Sequence, residues 1–197
     1  MSEQKSLTTL EIASGAKEAS FALAASAGEA RSAALLAVAD ALEARREVIF
    51  AETALDLEQA KADGIAAPVL KRLKFDESKL ADVCDGLRAL AQMEDPIGHE
   101  QLRTEMADGL VLSRVACPIG VVGVIFESRP DALVQIAGLC LKSGNAVLLK
   151  GGREALHTNA ALHAVLAKAS EAAGVPVGWA GLLTTRENVA RCSRWTI

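Results

Sequence analysis

The chain has 197 residues, 51% of them hydrophobic, which is enough to bury one sizeable core and suggests one compact body or a large part of one. Its net charge of −4, from 21 basic and 25 acidic residues, comes without a basic stripe or an aromatic platform, so nucleic acid is not an expected partner. No apolar stretch approaches the ~20 residues that cross a bilayer, and Met1-Ser2-Glu3-Gln4-Lys5 lacks an apolar signal core; the expectation is a soluble, cytoplasmic protein without membrane contact.

From Thr8 to Asp63 alanine, leucine and glutamate dominate, and the pattern predicts two or three amphipathic helices, interrupted at Ser26-Ala27-Gly28 and ended at Ala62-Asp63-Gly64. The cluster Arg45-Arg46-Glu47 fits a solvated face. Asp76 introduces a further helix with Leu80, Val83, Cys84, Leu87 and Leu90 on its apolar face, stopped at Met93-Glu94-Asp95-Pro96. Residues 1–95 form an N-terminal helical part, and 96–197 a second part. The second part opens with a polar loop, after which Leu110, Leu112 and Val115 suggest a weak antiparallel strand or arm.

The run Val121–Phe126 is β-branched and continuous, the pattern of a strand buried on both faces, and it breaks at Glu127-Ser128-Arg129-Pro130. Ala132, Ile136, Leu139 and Cys140 recur at helical spacing up to the stop Ser143-Gly144-Asn145. A second run, Ala146–Leu149, ends at Lys150-Gly151-Gly152-Arg153. Strand, helix and strand within about thirty residues make a βαβ unit with both polar turns on one sheet edge. Ligands of parallel sheets bind outside the carboxyl ends of the strands, so Arg129 and the Lys150–Arg153 turn form a candidate anion or nucleotide site. A helix follows from Glu154 to the Gly174 stop, then a third parallel strand at Trp179–Leu183, with Thr184-Thr185 capping another helix. Gly120 and Gly123 within the strand pattern suggest close packing. The fold class is α/β, a helical N-terminal layer followed by a parallel-sheet, Rossmann-like domain.

Cys84, Cys117, Cys140 and Cys192 form no Cys-x-x-Cys pair and the histidines are His99, His157 and His163, so neither a metal site nor a disulfide framework is indicated. Cys84, Cys117 and Cys140 fall in apolar patterns and are expected in the core. Neither a Gly-x-Gly-x-x-Gly fingerprint nor a Walker loop is present.

Pro118-Ile119-Gly120-Val121-Val122-Gly123-Val124-Ile125 resembles the entry strand of the aldehyde dehydrogenase superfamily. Phe126–Asp131 and Gly144–Ala155 are similar, within it, to the gamma-glutamyl phosphate reductase family, over roughly Val115 to Leu183. The resemblance implies NADPH-dependent reduction of L-glutamyl 5-phosphate to L-glutamate 5-semialdehyde in proline biosynthesis, by a homo-oligomeric complete enzyme. It places Lys150 at the adenosine ribose and Arg153 where an acidic residue often receives a ribose hydroxyl. An arginine there suits the 2′-phosphate of NADP(H), with Gly151 and Gly152 admitting the ligand to the backbone. Where the superfamily holds the oxyanion with an asparagine, the resemblance aligns Arg129, and Ser128 or Arg129 is the candidate for a substrate or oxyanion role. Glu127 is a candidate to orient Arg129.

The family's nucleophilic cysteine belongs to a separate catalytic domain, and none of the four cysteines here matches it. No catalytic residue is therefore expected in this chain. Cys192–Ile197 breaks the apolar pattern of the preceding segment, and one set of codons for it, shifted by one base, encodes Met-Leu-Ala-Leu-Asp-Asp, as the family's helix would continue. The expectation is an N-terminal fragment, incomplete at its C-terminus and inactive alone. The alternative is a non-catalytic NADP-binding or regulatory module.

Overall fold

The computed structural model describes residues 8–184, so the helix expected after Thr184-Thr185, and Cys192, lie outside the described residues. Three helices open the chain, α1 Thr9–Ala24, α2 Gly28–Ala44 and α3 Arg46–Ala62, and α2 and α3 meet at Arg45 in the exposed cluster. Thr8 and Glu11 form a reciprocal capping box at the start of α1, which fixes its first turn. A short helix absent from the sequence reading, α4 Ala67–Leu73, precedes α5 Glu77–Gln92, whose Asp76 cap accepts the Lys79 amide at 3.2 Å.

Two antiparallel strands follow, β1 Glu100–Ala107 and β2 Leu110–Val115, exposed along their whole length. The sequence reading found only the second, because β1 is polar and its signal lies in the Asp108-Gly109 turn, where Gly109 has φ 74°.

Next come β3 Val121–Ile125, α6 Pro130–Lys142, β4 Ala146–Lys150, a 3-10 turn at Arg153–Ala155, α7 Leu156–Ala172 and β5 Ala180–Leu182. The three strands are parallel in the order β3-β4-β5, as the βαβ pattern predicts. Only β4 is buried throughout. The expectation that β3 is buried on both faces fails: it lies at an edge of the described sheet, and while Val122 and Val124 pack on the core, Ile125 is 65% exposed.

Alternation along β4 sorts the layers. Ala146 and Leu148 face Ala13 and Ala16 of α1, whereas Val147 and Leu149 join α6 and α7, backed by α2 and α5. On α6 the buried face is Leu133, Val134, Ala137 and Leu141; Leu139, expected inside, is exposed, since apolar residues surround most of this helix and spacing alone does not choose the face.

Both crossover helices end in Schellman motifs. On α6 the Gly144 amide donates to the Leu141 carbonyl at 3.1 Å and that of Asn145 to Cys140 at 2.8 Å, with Gly144 at φ 71°; Gly174 ends α7 likewise. The Asn145 side chain also does work not foreseen: its Oδ1 accepts the Ile119 and Gly120 amides at 2.7 and 2.9 Å, fixing the approach to β3. Gly120 is required by its φ of 115°, not by close packing, and an added Cβ at Gly120 or Gly123 meets nothing within 4 Å.

Polar clips tie the layers together. Arg31, 1% exposed, donates from Nη2 to both carboxylate oxygens of Asp95 at 2.6 and 2.8 Å and from Nε to the Lys142 carbonyl, while the Lys142 ammonium donates to the Met93 carbonyl at 2.6 Å. Trp179 is fully buried, its Nε1 donating to Ser170 Oγ at 2.8 Å.

Candidate nucleotide site at the strand ends

Parallel pairing of β3 with β4 brings the two polar turns together at one end of the sheet, where the Phe126 amide still donates to the Lys150 carbonyl at 3.0 Å. Beyond it the chain turns through Ser128, which has φ 46° and is 9% exposed. This is the one non-glycine residue with positive φ among the described residues, a conformation found disproportionately at functional sites. Its amide and hydroxyl both donate to Oε1 of Glu154, at 3.0 and 2.7 Å. Burial raises the Glu154 pKa, but hydrogen bonds from Ser128 and the nearby Lys150 charge outweigh it, and the carboxyl stays below its ordinary value.

Arg129 caps the start of α6 with its side chain 56% exposed. Its guanidinium donates to Asp131 Oδ2 at 2.9 Å, so Asp131 orients it and not Glu127, which points no hydrogen bond at it. Lys79 also approaches Asp131, at 3.4 Å.

The second turn is built on small residues for a visible reason. A Cβ on Gly151 would lie 2.2 Å from Asn159 Nδ2 and 3.2 Å from the Phe126 ring, and one on Gly152 would lie 2.1 Å from Glu154 Oε1. Lys150 is 9% exposed, its ammonium donating to the Gly151 carbonyl. Arg153 is exposed, makes no ion pair among the described residues, and lines a cavity of about 760 Å³ with Gln59, Asp63 and His157. Asn159 is 3% exposed and its Oδ1 has no hydrogen-bond partner.

Asp56 of α3 anchors the frame. Its carboxylate accepts the His157 and Thr158 amides at 3.1 and 2.7 Å, supplying α7 with the cap that Ala155 lacks. The sequence reading missed both Asp56 and Glu154: one is a lone acid on a helix, the other an unremarked letter of the turn, and no local spacing reveals their partners.

The cysteines divide. Cys84 and Cys140 are buried as expected, and burial pushes each thiol up to about 11. Cys117 is exposed, against expectation, because it lies in the link between the exposed β2 and the edge strand β3. Among the described residues, no helix is long and apolar enough to cross a membrane.

Open parallel sheets crossed by helices bind ligands outside the carboxyl ends of their strands, where this chain has a glycine turn and two cations. The aldehyde dehydrogenase family profile matches residues 2–192: the chain belongs to that family. Within it, the chain is 52% identical over 179 residues to the gamma-glutamyl phosphate reductase of Acetivibrio thermocellus, covering 91% of this chain and 42% of that protein. The crystal structure of the Thermotoga maritima gamma-glutamyl phosphate reductase superposes with a TM-score of 0.88 at 30% identity, over 93% of this chain and 45% of that one. The Saccharomyces cerevisiae enzyme of the same name gives 0.85 at 37% identity, over 91% and 47%. The chain thus spans less than half the length of the relatives it matches.

Proposed function

We propose that the chain is the NADP-binding part of a gamma-glutamyl phosphate reductase, an oxidoreductase of proline biosynthesis that reduces L-glutamyl 5-phosphate to L-glutamate 5-semialdehyde. The observation that carries this reading is the 52% identity to a gamma-glutamyl phosphate reductase over 91% of the chain, joined to the glycine turn at the end of β4.

The residues fit the cofactor. Gly151 and Gly152 let the turn pack closely on Asn159, Phe126 and Glu154, Lys150 supplies a buried positive charge, and exposed Arg153 is free of carboxylate partners among the described residues. Bound there, NADPH supplies the hydride. A guanidinium favours a 2′-phosphate by charge and bidentate geometry, which supports NADP over NAD. Ser128 and Arg129 are the candidates for the substrate: an exposed guanidinium steadied by Asp131 suits an acyl phosphate or a developing oxyanion.

Two of the thiols are unsuited to serve as the nucleophile. Attack on an acyl phosphate needs a thiolate, and Cys84 and Cys140 are held protonated in the core. The division into a helical part, 1–95, and a nucleotide-binding part, 96–197, belongs to the same proposal.

Calorimetric titration of the 197-residue chain tests it. NADPH is expected to bind at least about tenfold more tightly than NADH, the equivalent of one charge-assisted contact to the 2′-phosphate. Equal affinities would remove the NADP assignment, and no binding of either would remove the cofactor role.

A further inference from the structure

Glu154 sits where the two turns meet. It follows Arg153 directly, and among the described residues its Oε1 is the sole side-chain acceptor that holds Ser128 in its left-handed conformation, through the amide at 3.0 Å and the hydroxyl at 2.7 Å. The same carboxylate fills the space beside Gly152, where a Cβ would lie 2.1 Å from Oε1 and 2.4 Å from Cδ. No third residue intervenes: the backbone of one turn wraps the group that fixes the backbone of the other. The charge of Lys150 acts on this carboxylate as well.

We propose that Glu154 is a positioning residue that couples nucleotide binding at the Lys150–Arg153 turn to the conformation of the Ser128–Arg129 turn; the inference rests on the assignment of those turns to cofactor and substrate. A nucleotide phosphate drawn to Arg153 and Lys150 brings negative charge beside a carboxylate that holds Ser128 by two hydrogen bonds. Any shift of Glu154 then moves the Ser128 amide, and by linkage the Ser128 turn acts back on nucleotide affinity. The route is one side chain long.

The test follows the Ser128 amide by NMR in the 15N-labelled 197-residue chain during titration with NADPH. In the wild type that proton is expected downfield, as an amide bonded to a carboxylate, and it moves as NADPH saturates. In Glu154→Gln it shifts upfield, stops responding to NADPH, and the NADPH Kd falls about threefold to tenfold, because the carboxylate that opposes the incoming phosphate is gone. Glu154→Asp, which keeps the charge but is a methylene too short, gives the same uncoupling and serves if the glutamine variant does not fold. Ser128→Gly adopts the positive φ freely and keeps the amide donor, so its residue 128 amide still responds. A Glu154→Gln or Glu154→Asp chain that binds NADPH with unchanged Kd while the amide still moves overturns the coupling alone. Failure of the wild-type chain to bind NADPH overturns the cofactor assignment and the coupling with it.

Discussion

Asp56 and Thr158, 102 positions apart, are joined by two hydrogen bonds: the carboxylate accepts the Thr158 amide at 2.7 Å and its hydroxyl at 2.6 Å. The helix that leaves the candidate nucleotide turn is therefore capped from outside, by α3. Both residues are nearly inaccessible to water, and the one second partner of the Thr158 hydroxyl among the described residues is Thr53 Oγ1, at 3.3 Å. Asp56→Ala is expected to lower stability by about 2–3 kcal/mol, since it strands the His157 and Thr158 amides and leaves the Thr158 hydroxyl only the longer bond to Thr53. Urea unfolding followed by far-ultraviolet circular dichroism measures it, and a loss near zero would show that water replaces the cap.

The Gly152 turn makes a second prediction. In Gly152→Ala the new methyl displaces the Glu154 carboxylate and breaks both bonds to Ser128, a loss of about 1–2 kcal/mol. Once Glu154 is cut back to alanine, the same substitution has far less left to break. A double-mutant cycle in chemical denaturation should accordingly be clearly non-additive, and simple additivity would mean the methyl is accommodated elsewhere.

At Arg153 the expectation concerns selectivity. Arg153→Ser should weaken NADPH binding about tenfold and leave NADH binding nearly unchanged, because only NADPH carries the 2′-phosphate. Parallel losses for both nucleotides would place Arg153 away from that phosphate.

His163 gives the chain a pH-sensitive element. Burial lowers its pKa from the ordinary 6.5, and Nε2 lies 3.0 Å from the Ala180 carbonyl, so the folded state holds a neutral ring donating from Nε2. A depressed folded pKa means the unfolded chain takes up the proton first, so this stability is present above pH 6.5 and is lost as the pH falls below it. His163→Gln should flatten the thermal stability profile between pH 7 and about pH 5. A variant with the wild-type slope would assign the dependence to other groups.

The cysteines differ in reactivity for a structural reason. Cys117 should react with a thiol reagent in the native chain, and Cys84 and Cys140, whose thiols burial pushes up to about 11, only after unfolding. Peptide mapping after brief alkylation reads this directly, and native labelling at Cys84 would contradict the packing of α5 against α2.

Much of the architecture is legible in the sequence alone. Apolar runs of strand length, glycine stops after periodic helices, and two polar turns at equivalent ends of a βαβ unit were enough to place β3, α6, β4, α7 and β5 and to bring Ser128 and Arg129 near Lys150–Arg153. These signals are local, set by backbone sterics and side-chain periodicity, and a single sequence carries them. Burial was less legible. The β3 run looks like a doubly buried strand and Cys117 like a core residue because composition reports apolarity, whereas exposure depends on which neighbours cover an edge. Only the tertiary structure decided that Asp56 caps α7, that Asp131 holds Arg129, and that Glu154 holds Ser128 in a left-handed turn. Each of these joins carboxylate to partner across a distance in sequence or a change of direction that no periodicity encodes. A carboxylate is soluble anywhere on a chain, and its role is fixed by the donor the fold places against it.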